Sequence, residues 1–119
     1  MFPFENLIVY QKALTLNQQV YLFLKENKSM PNYVKDQLGR ASLSIMLNIA
    51  EGSGRMSKKD RRNFFVISRS SAFECAAIFQ FLNSVSELSE ADLKKYQGEI
   101  EEISKMLYTM INNLEKIKK

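Results

Sequence analysis

Six cations crowd one short stretch of this chain: Arg55, Lys58, Lys59, Arg61, Arg62 and Arg69, opposed only by Asp60. Their excess exceeds the +4 of the whole chain, so the remaining residues are slightly acidic. The chemistry on offer is electrostatic, the attraction and charge-assisted hydrogen bonding of phosphate oxygens. Ser57-Lys58-Lys59-Asp60 has the spacing of a capping box, with Asp60 where Glu or Gln is more usual, so these cations occupy the first turns of a helix. A phosphate bound there meets backbone N–H groups and side chains together. Without an anion, each exposed cation at that end costs roughly 0.3–1 kcal/mol against the helix dipole. Lys58, Arg62 and Arg69 fall near one helix face, with Arg55 just before them. No aromatic residue interleaves with the exposed basic residues as a base-stacking platform requires, so sequence readout has little support. The opposite sign gathers between Glu87 and Glu102, where Glu87, Glu90, Asp92, Glu99, Glu101 and Glu102 outnumber Lys94 and Lys95. A competing reading has this acidic start of the last helix neutralise the basic patch, within the chain or between subunits.

Other chemistries find little footing. The chain has no histidine, which removes the commonest general base, the usual catalytic triads and most zinc sites. Its single cysteine, Cys75, excludes an intrachain disulfide and reads as a small buried hydrophobe. Gly52-Ser53-Gly54 lacks the strand and the continuation of a phosphate loop, and reads instead as a helix C-cap and turn. Ser70-Ser71 has no base to activate it and sits in a helix interior. Glu51 and Glu74 could pair as carboxylates, but a di-iron bundle also wants Glu-x-x-His. The expectation is a protein that is not an enzyme, with no cofactor and no metal site.

The elements that must position these residues are helical. The 119 residues are 45% hydrophobic, with four glycines and two prolines, which suits one domain spanning 1–119. Pro31, Gly52-Ser53-Gly54 and the polar stretch 83–89 divide the chain into four segments. The first, about Leu7 to Lys25, carries Val9, Ala13, Leu16, Val20 and Phe23 on one stripe. Leu7, Tyr10, Leu14, Tyr21 and Leu24 form a second, so its apolar arc is wide. Val34, Leu38, Ala41, Ile45 and Ile49 mark the next helix, which should end near Gly52. The third runs from Ser57 to about Val85 and mixes small residues (Ser68, Ser70, Ser71, Ala72, Ala76, Ala77) with Phe64, Phe65, Phe79, Phe81 and Leu82. In the last, Leu93, Tyr96, Ile100, Ile103, Leu107, Met110, Leu114 and Ile117 alternate spacings of three and four without a miss. Short connections make the fold class all-α, an antiparallel up-down-up-down four-helix bundle. More apolar surface is present than such a core needs, which points to a homo-oligomer. Uninterrupted apolar runs are too short to span a bilayer, and Met1-Phe2-Pro3-Phe4-Glu5 lacks the basic start of a secretory signal. The expected location is therefore cytoplasmic, without a membrane partner.

The stretch from Gln37 to Ser57 resembles a known family. It fits Q-x-x-R-A-x-x-S-I-x-x-N-I-A-E-G-x-G-R-x-S at every fixed position, through Gln37, Arg40, Ala41, Ser44, Ile45, Asn48, Ile49, Ala50, Glu51, Gly52, Gly54, Arg55 and Ser57. That pattern is similar to the four-helix bundle proteins encoded within the intervening sequences of bacterial 23S rRNA genes. Asn6-Leu7-Ile8-Val9-Tyr10-Gln11-Lys12-Ala13 resembles the family's opening, and Ser70-Ser71-Ala72-Phe73-Glu74 its third-helix motif. Two departures stand out: the interval from Pro31 to Gln37 is about one helical turn shorter than usual, and Ser70 replaces a common glycine. The resemblance implies a ring-shaped homopentamer, labelled ribosomal in some cases and without a settled activity. It extends to the accessory proteins of diversity-generating retroelements, basic pentamers thought to bind RNA and a reverse transcriptase. The function expected is thus non-enzymatic binding of RNA through Arg55, Lys58, Lys59, Arg61, Arg62 and Arg69. The alternative is an assembly scaffold whose basic patch contacts a subunit or another protein. Arg40, Asn48 and Glu51, with Glu74 and Arg69, are expected to build a shared polar network that sets bundle register or a subunit contact.

Overall fold

In a computed structural model, which describes residues 1–116 and side chains as far as Leu114, the chain forms four helices. They are α1 (Ile8–Glu26), α2 (Asn32–Ser53), α3 (Lys58–Ser84) and α4 (Glu90–Lys116), preceded by a 3₁₀ turn at Pro3–Asn6. Among the described residues α1 packs on α2 and α4, and α3 packs on α2 and α4, while the backbones of the diagonal pairs stay apart and meet through core side chains such as Phe23 and Phe79. This is the square section of an antiparallel up-down-up-down bundle, 50 Å long and 25 by 22 Å across.

Local chemistry explains where each helix begins. Pro31 supplies a fixed φ, and its carbonyl accepts from the N–H groups of Val34 and Lys35, so α2 starts at once and the short interval to Gln37 forms its first turns. Ser57 Oγ accepts the Asp60 N–H at 3.1 Å, and Ser89 Oγ accepts the Asp92 N–H at 3.1 Å. Both serines therefore cap as the spacing predicts. α3 ends with Ser86 at φ 65°, the Glu87 N–H reaching the Leu82 carbonyl at 2.8 Å and the Ser86 N–H reaching Asn83 at 3.1 Å. That pair of bonds is a Schellman motif, which turns the chain sharply into α4.

The inward stripes meet along the axis. Val9, Ala13, Leu16 and Val20 of α1 face Leu38, Ala41, Ile45 and Ile49 of α2, with Phe65, Ala72, Cys75, Phe79 and Leu82 of α3 and Tyr96, Ile100, Ile103 and Leu107 of α4. Leu93, Met110 and Leu114 are half-buried against this core, and Ile117 lies outside the described residues. The second stripe of α1 divides: Leu7, Tyr10 and Leu24 pack against the core, whereas Leu14 and Tyr21 are exposed. α2 and α3 approach closely over small residues. Ser68 Oγ donates to the Ile45 carbonyl at 2.7 Å, and the Ser44 and Ser71 hydroxyls lie 2.7 Å apart. Ser70 is exposed on the outer side of α3, away from the contact its neighbour Ser71 makes.

One expectation holds and one needs correction. Gly54 caps α2 as expected, with a φ of −93°, and no glycine among the described residues adopts positive φ. Gly52 is buried because α3 leaves no room: a Cβ there would lie 2.8 Å from Phe65 Cε1 and 2.9 Å from Phe64 Cβ. The correction concerns α3, which is long and apolar enough, by length and composition, to cross a bilayer. Counting uninterrupted apolar runs missed this, because its serines, alanines and aromatics together raise its mean hydropathy. Its inner face is bundle core, and its outer face exposes Val66, Ile67, Phe73 and Phe81.

Candidate nucleic-acid interface

The α2–α3 turn is built from its own arginines. Arg55 Nη2 meets Glu51 Oε2 at 2.7 Å, one helical turn back, and its guanidinium lies 4.7 Å over the Phe64 ring. Arg61 Nε donates to the Arg55 carbonyl at 2.7 Å, closing the turn from the α3 side. These two arginines thus brace the turn as well as charging it. Both Arg55 and Glu51 are largely solvent-exposed, so their pairing contributes only about 0.3–0.5 kcal/mol. Lys58 and Lys59 project from the exposed first turn of α3, and Arg62 follows half-buried. Lys58 and Arg62 have further contacts within the chain.

Arg69 stands two turns beyond Arg62 on the same face and points to α4. Its Nε donates to the Ser104 carbonyl at 3.3 Å. Its guanidinium lies 4.7 Å over the Phe73 ring and 5.1 Å over the Tyr108 ring. Both rings are half-exposed, at 53% each. The expectation that no aromatic accompanies the cations is therefore wrong. Phe73 is one turn from Arg69 on α3, and Tyr108 comes from α4, far along the chain, so only the packing of the two helices reveals the pair.

Within one chain the side chains expected in the shared polar network do not meet in a single cluster. Arg40 is exposed and makes no hydrogen bond or ion pair among the described residues. Asn48 Nδ2 donates to the Ser44 carbonyl at 2.8 Å and to Ser44 Oγ at 3.0 Å, and through Ser44 reaches Ser71. Glu51 turns to Arg55, while Glu74 accepts from Gln37 Nε2 at 2.7 Å. Three separate contacts replace one network. At about 100° per residue, Arg40 and Glu51 point away from the core and Asn48 sits at the α3 boundary. Arg40 stands about 12 Å along the axis from Asn48 and about 16 Å from Glu51, too far for the three to converge.

Antiparallel packing decides where the two charge clusters lie. The start of α3 sits at the end of the bundle where α4 finishes, and the start of α4 sits at the other. Glu87, Glu90 and Asp92 are therefore nearly a bundle length from Lys58 and Lys59, and within one chain the acidic start of α4 does not neutralise the basic patch. Farther along α4, Glu102 meets Lys12 of α1 at 3.0 Å.

The nucleophile candidates are committed elsewhere. Burial, with the Glu74 charge as a lesser cause, pushes the Cys75 thiol up to about 12, so it stays protonated. Ser71 is bound to Ser44 in the α2–α3 contact. No group of three His, Cys, Asp or Glu side chains converges among the described residues.

Comparison with known proteins bears on these features. Residues 5–109 match the family model described as 23S rRNA-intervening sequence protein. A 1.70 Å crystal structure of a protein of unknown function from the S23 ribosomal protein family of Bacteroides thetaiotaomicron is similar to the fold, with TM-score 0.81. The similarity covers 87% of this chain and 98% of that one at 23% identity. No protein curated for function matches the chain.

Proposed function

The chain belongs to the family of 23S rRNA-intervening sequence proteins, and on that premise we propose that it is a non-enzymatic RNA-binding protein that acts as a cytoplasmic homo-oligomer. RNA is held by phosphate contacts from Lys58, Lys59, Arg61 and Arg62, flanked by Arg55 and Arg69. The observation that carries this reading is the segregation of charge. The cations gather at one end of a 50 Å bundle whose acidic helix start lies at the other, so no pairing with that start within the chain cancels their field. Exposed apolar side chains support the oligomer. Leu14 and Tyr21 on α1 flank Asn17, which reaches the Ser42 carbonyl of α2 at 2.8 Å, and Leu43 and Leu47 follow on α2. Ile67 and Phe81, exposed on α3, supply a second, different patch. Two unlike patches favour a head-to-tail contact that closes into a ring and repeats the basic end around it. A ring of five, and a protein partner such as a reverse transcriptase, rest on the family resemblance.

Titration of a mixed-sequence fluorescent RNA at several salt concentrations tests the reading, with light scattering in parallel. Log affinity should fall with log salt by about 0.7 per phosphate contact on a single strand. The double variant Lys58→Glu, Lys59→Glu should weaken binding about tenfold or more and reduce the slope by about 1.4, two contacts' worth. It should remain folded and oligomeric, because acidic residues suit a helix start. Absence of binding at low salt would overturn the proposal. Dissociation of the oligomer by the same variant would favour the scaffold reading, in which the patch meets the acidic α4 start of a neighbour.

A further inference from the structure

We propose that the groove between α3 and α4 at Arg69 is a subsite for one unpaired nucleotide, with the phosphate on the Arg69 guanidinium and the base stacked on the Phe73–Tyr108 pair. The inference rests on the RNA reading above and adds a ligand and a place to it.

Arg69 is oriented but not used up. Its Nε bond to Ser104 and its position over two rings fix the plane of the guanidinium, while neither Nη group makes a hydrogen bond among the described residues. A planar fork with its terminal donors open is suited to a phosphate, which it can grip through two parallel N–H bonds. The cost of ordering that side chain is already met by the fold, so less is lost on binding.

The groove around it has a volume of about 230 Å³ and adds Arg62, Ser70 and Asn112 to Arg69, Phe73 and Tyr108. Among the described residues no carboxylate lines this part of the groove; Glu101 lies on the other side of Arg69, where the groove continues toward the start of α4. Arg62 lies seven residues before Arg69, about 10 Å down the helix axis, so a strand leaving the subsite meets the cations at the start of α3. Ser70 and Asn112 offer donors and acceptors at the edge of a stacked base.

The rings decide the class of ligand. A carboxylate on an acidic peptide would satisfy Arg69 but leave the half-exposed Phe73 and Tyr108 side chains in water. A base-paired nucleotide has its faces covered by its own neighbours. An unpaired nucleotide is anionic and flat, and it uses both features.

The test compares an oligouridylate with an abasic ribose-phosphate oligomer of the same length, at one salt concentration and across a salt series. The protein should bind the uridylate about tenfold more tightly, the range expected for stacking one base. Tyr108→Leu, which keeps apolar bulk on an exposed helix position, should abolish that preference and leave the salt slope unchanged. Arg69→Lys, which keeps charge but removes the fork, should weaken the uridylate several-fold with the same slope. Equal binding of both oligomers with a steep slope would overturn the subsite and leave the basic face standing. Failure to bind either at low salt would overturn both. Loss of the oligomer in Tyr108→Leu would make this groove a subunit contact and overturn the subsite.

Discussion

Gly52→Ala should lower the unfolding free energy by about 3 kcal/mol, whereas Gly98→Ala should raise it by about 0.5–1 kcal/mol. Both glycines lie within helices, and both variants improve helix propensity, so the sign is decided by what the new methyl meets. At Gly52 it meets Phe65 Cε1 at 2.8 Å and Phe64 Cβ at 2.9 Å. The first belongs to a ring only 4% exposed, and the second is anchored to the α3 backbone, so neither can yield without moving a helix. At Gly98 nothing lies within 4 Å, and the substitution simply removes the entropy cost of glycine in a helix. Urea denaturation at one protein concentration reads both midpoints, and at roughly 4 °C per kcal/mol the Gly52 variant should melt about 12 °C lower. Wild-type stability in Gly52→Ala would mean that α2 and α3 separate at little cost. The consequence would reach the basic end, because the Arg55–Phe64 stack and the Arg61–Arg55 bond span the same turn.

What could be read in the sequence is what a helix writes locally. The three-four spacing of α4 from Leu93 to Leu114, the core stripe of α2 and the caps at Ser57 and Ser89 depend on residues within a turn or two of each other. Each lies where its pattern places it. The ambiguous cases turn on how a helix is rotated about its axis. Leu14 and Tyr21 continue the apolar arc of α1 as well as Tyr10 does, yet they face out, because Asn17 rather than either of them reaches α2. Gly52 and Gly54 look alike in sequence, and only the nearness of Phe64 and Phe65 shows that one is needed for space. Arg69 was legible as a cation but not as an arginine between two rings, since Tyr108 joins it only through the α3–α4 packing. The polar network was misplaced for a related reason: Arg40 shares a helix face with Glu51 but stands about 16 Å from it along the axis. The chemistry of the basic cluster was therefore visible early, and its geometry was not.

Phe79→Ala should cost about 4 kcal/mol, a large part of the 5–15 kcal/mol that holds a domain of this size together. Phe79 is fully buried, and its ring stacks on Tyr96 at 4.3 Å with 2° between the planes. Phe23 meets both rings edge-on, at 6.2 Å and 6.1 Å, so the phenyl group joins α1, α3 and α4 at one level of the bundle. Truncation opens a cavity among groups that cannot collapse into it without breaking the remaining edge contact, which places the cost in the upper part of the range for such changes. Phe81→Ala, two residues on, removes the same phenyl from the outer face of α3, where it is 45% exposed, and should change monomer stability by no more than about 0.5 kcal/mol. Comparing the two by urea denaturation separates bundle core from surface on one helix. A small loss in Phe79→Ala would show that the aromatic stack repacks and does not order the upper bundle. A large, concentration-dependent loss in Phe81→Ala would show that stability is shared across a subunit contact on the outer face of α3. The same phenyl deletion at two neighbouring positions thus tests both the fold and the reason its third helix carries more apolar surface than the bundle consumes.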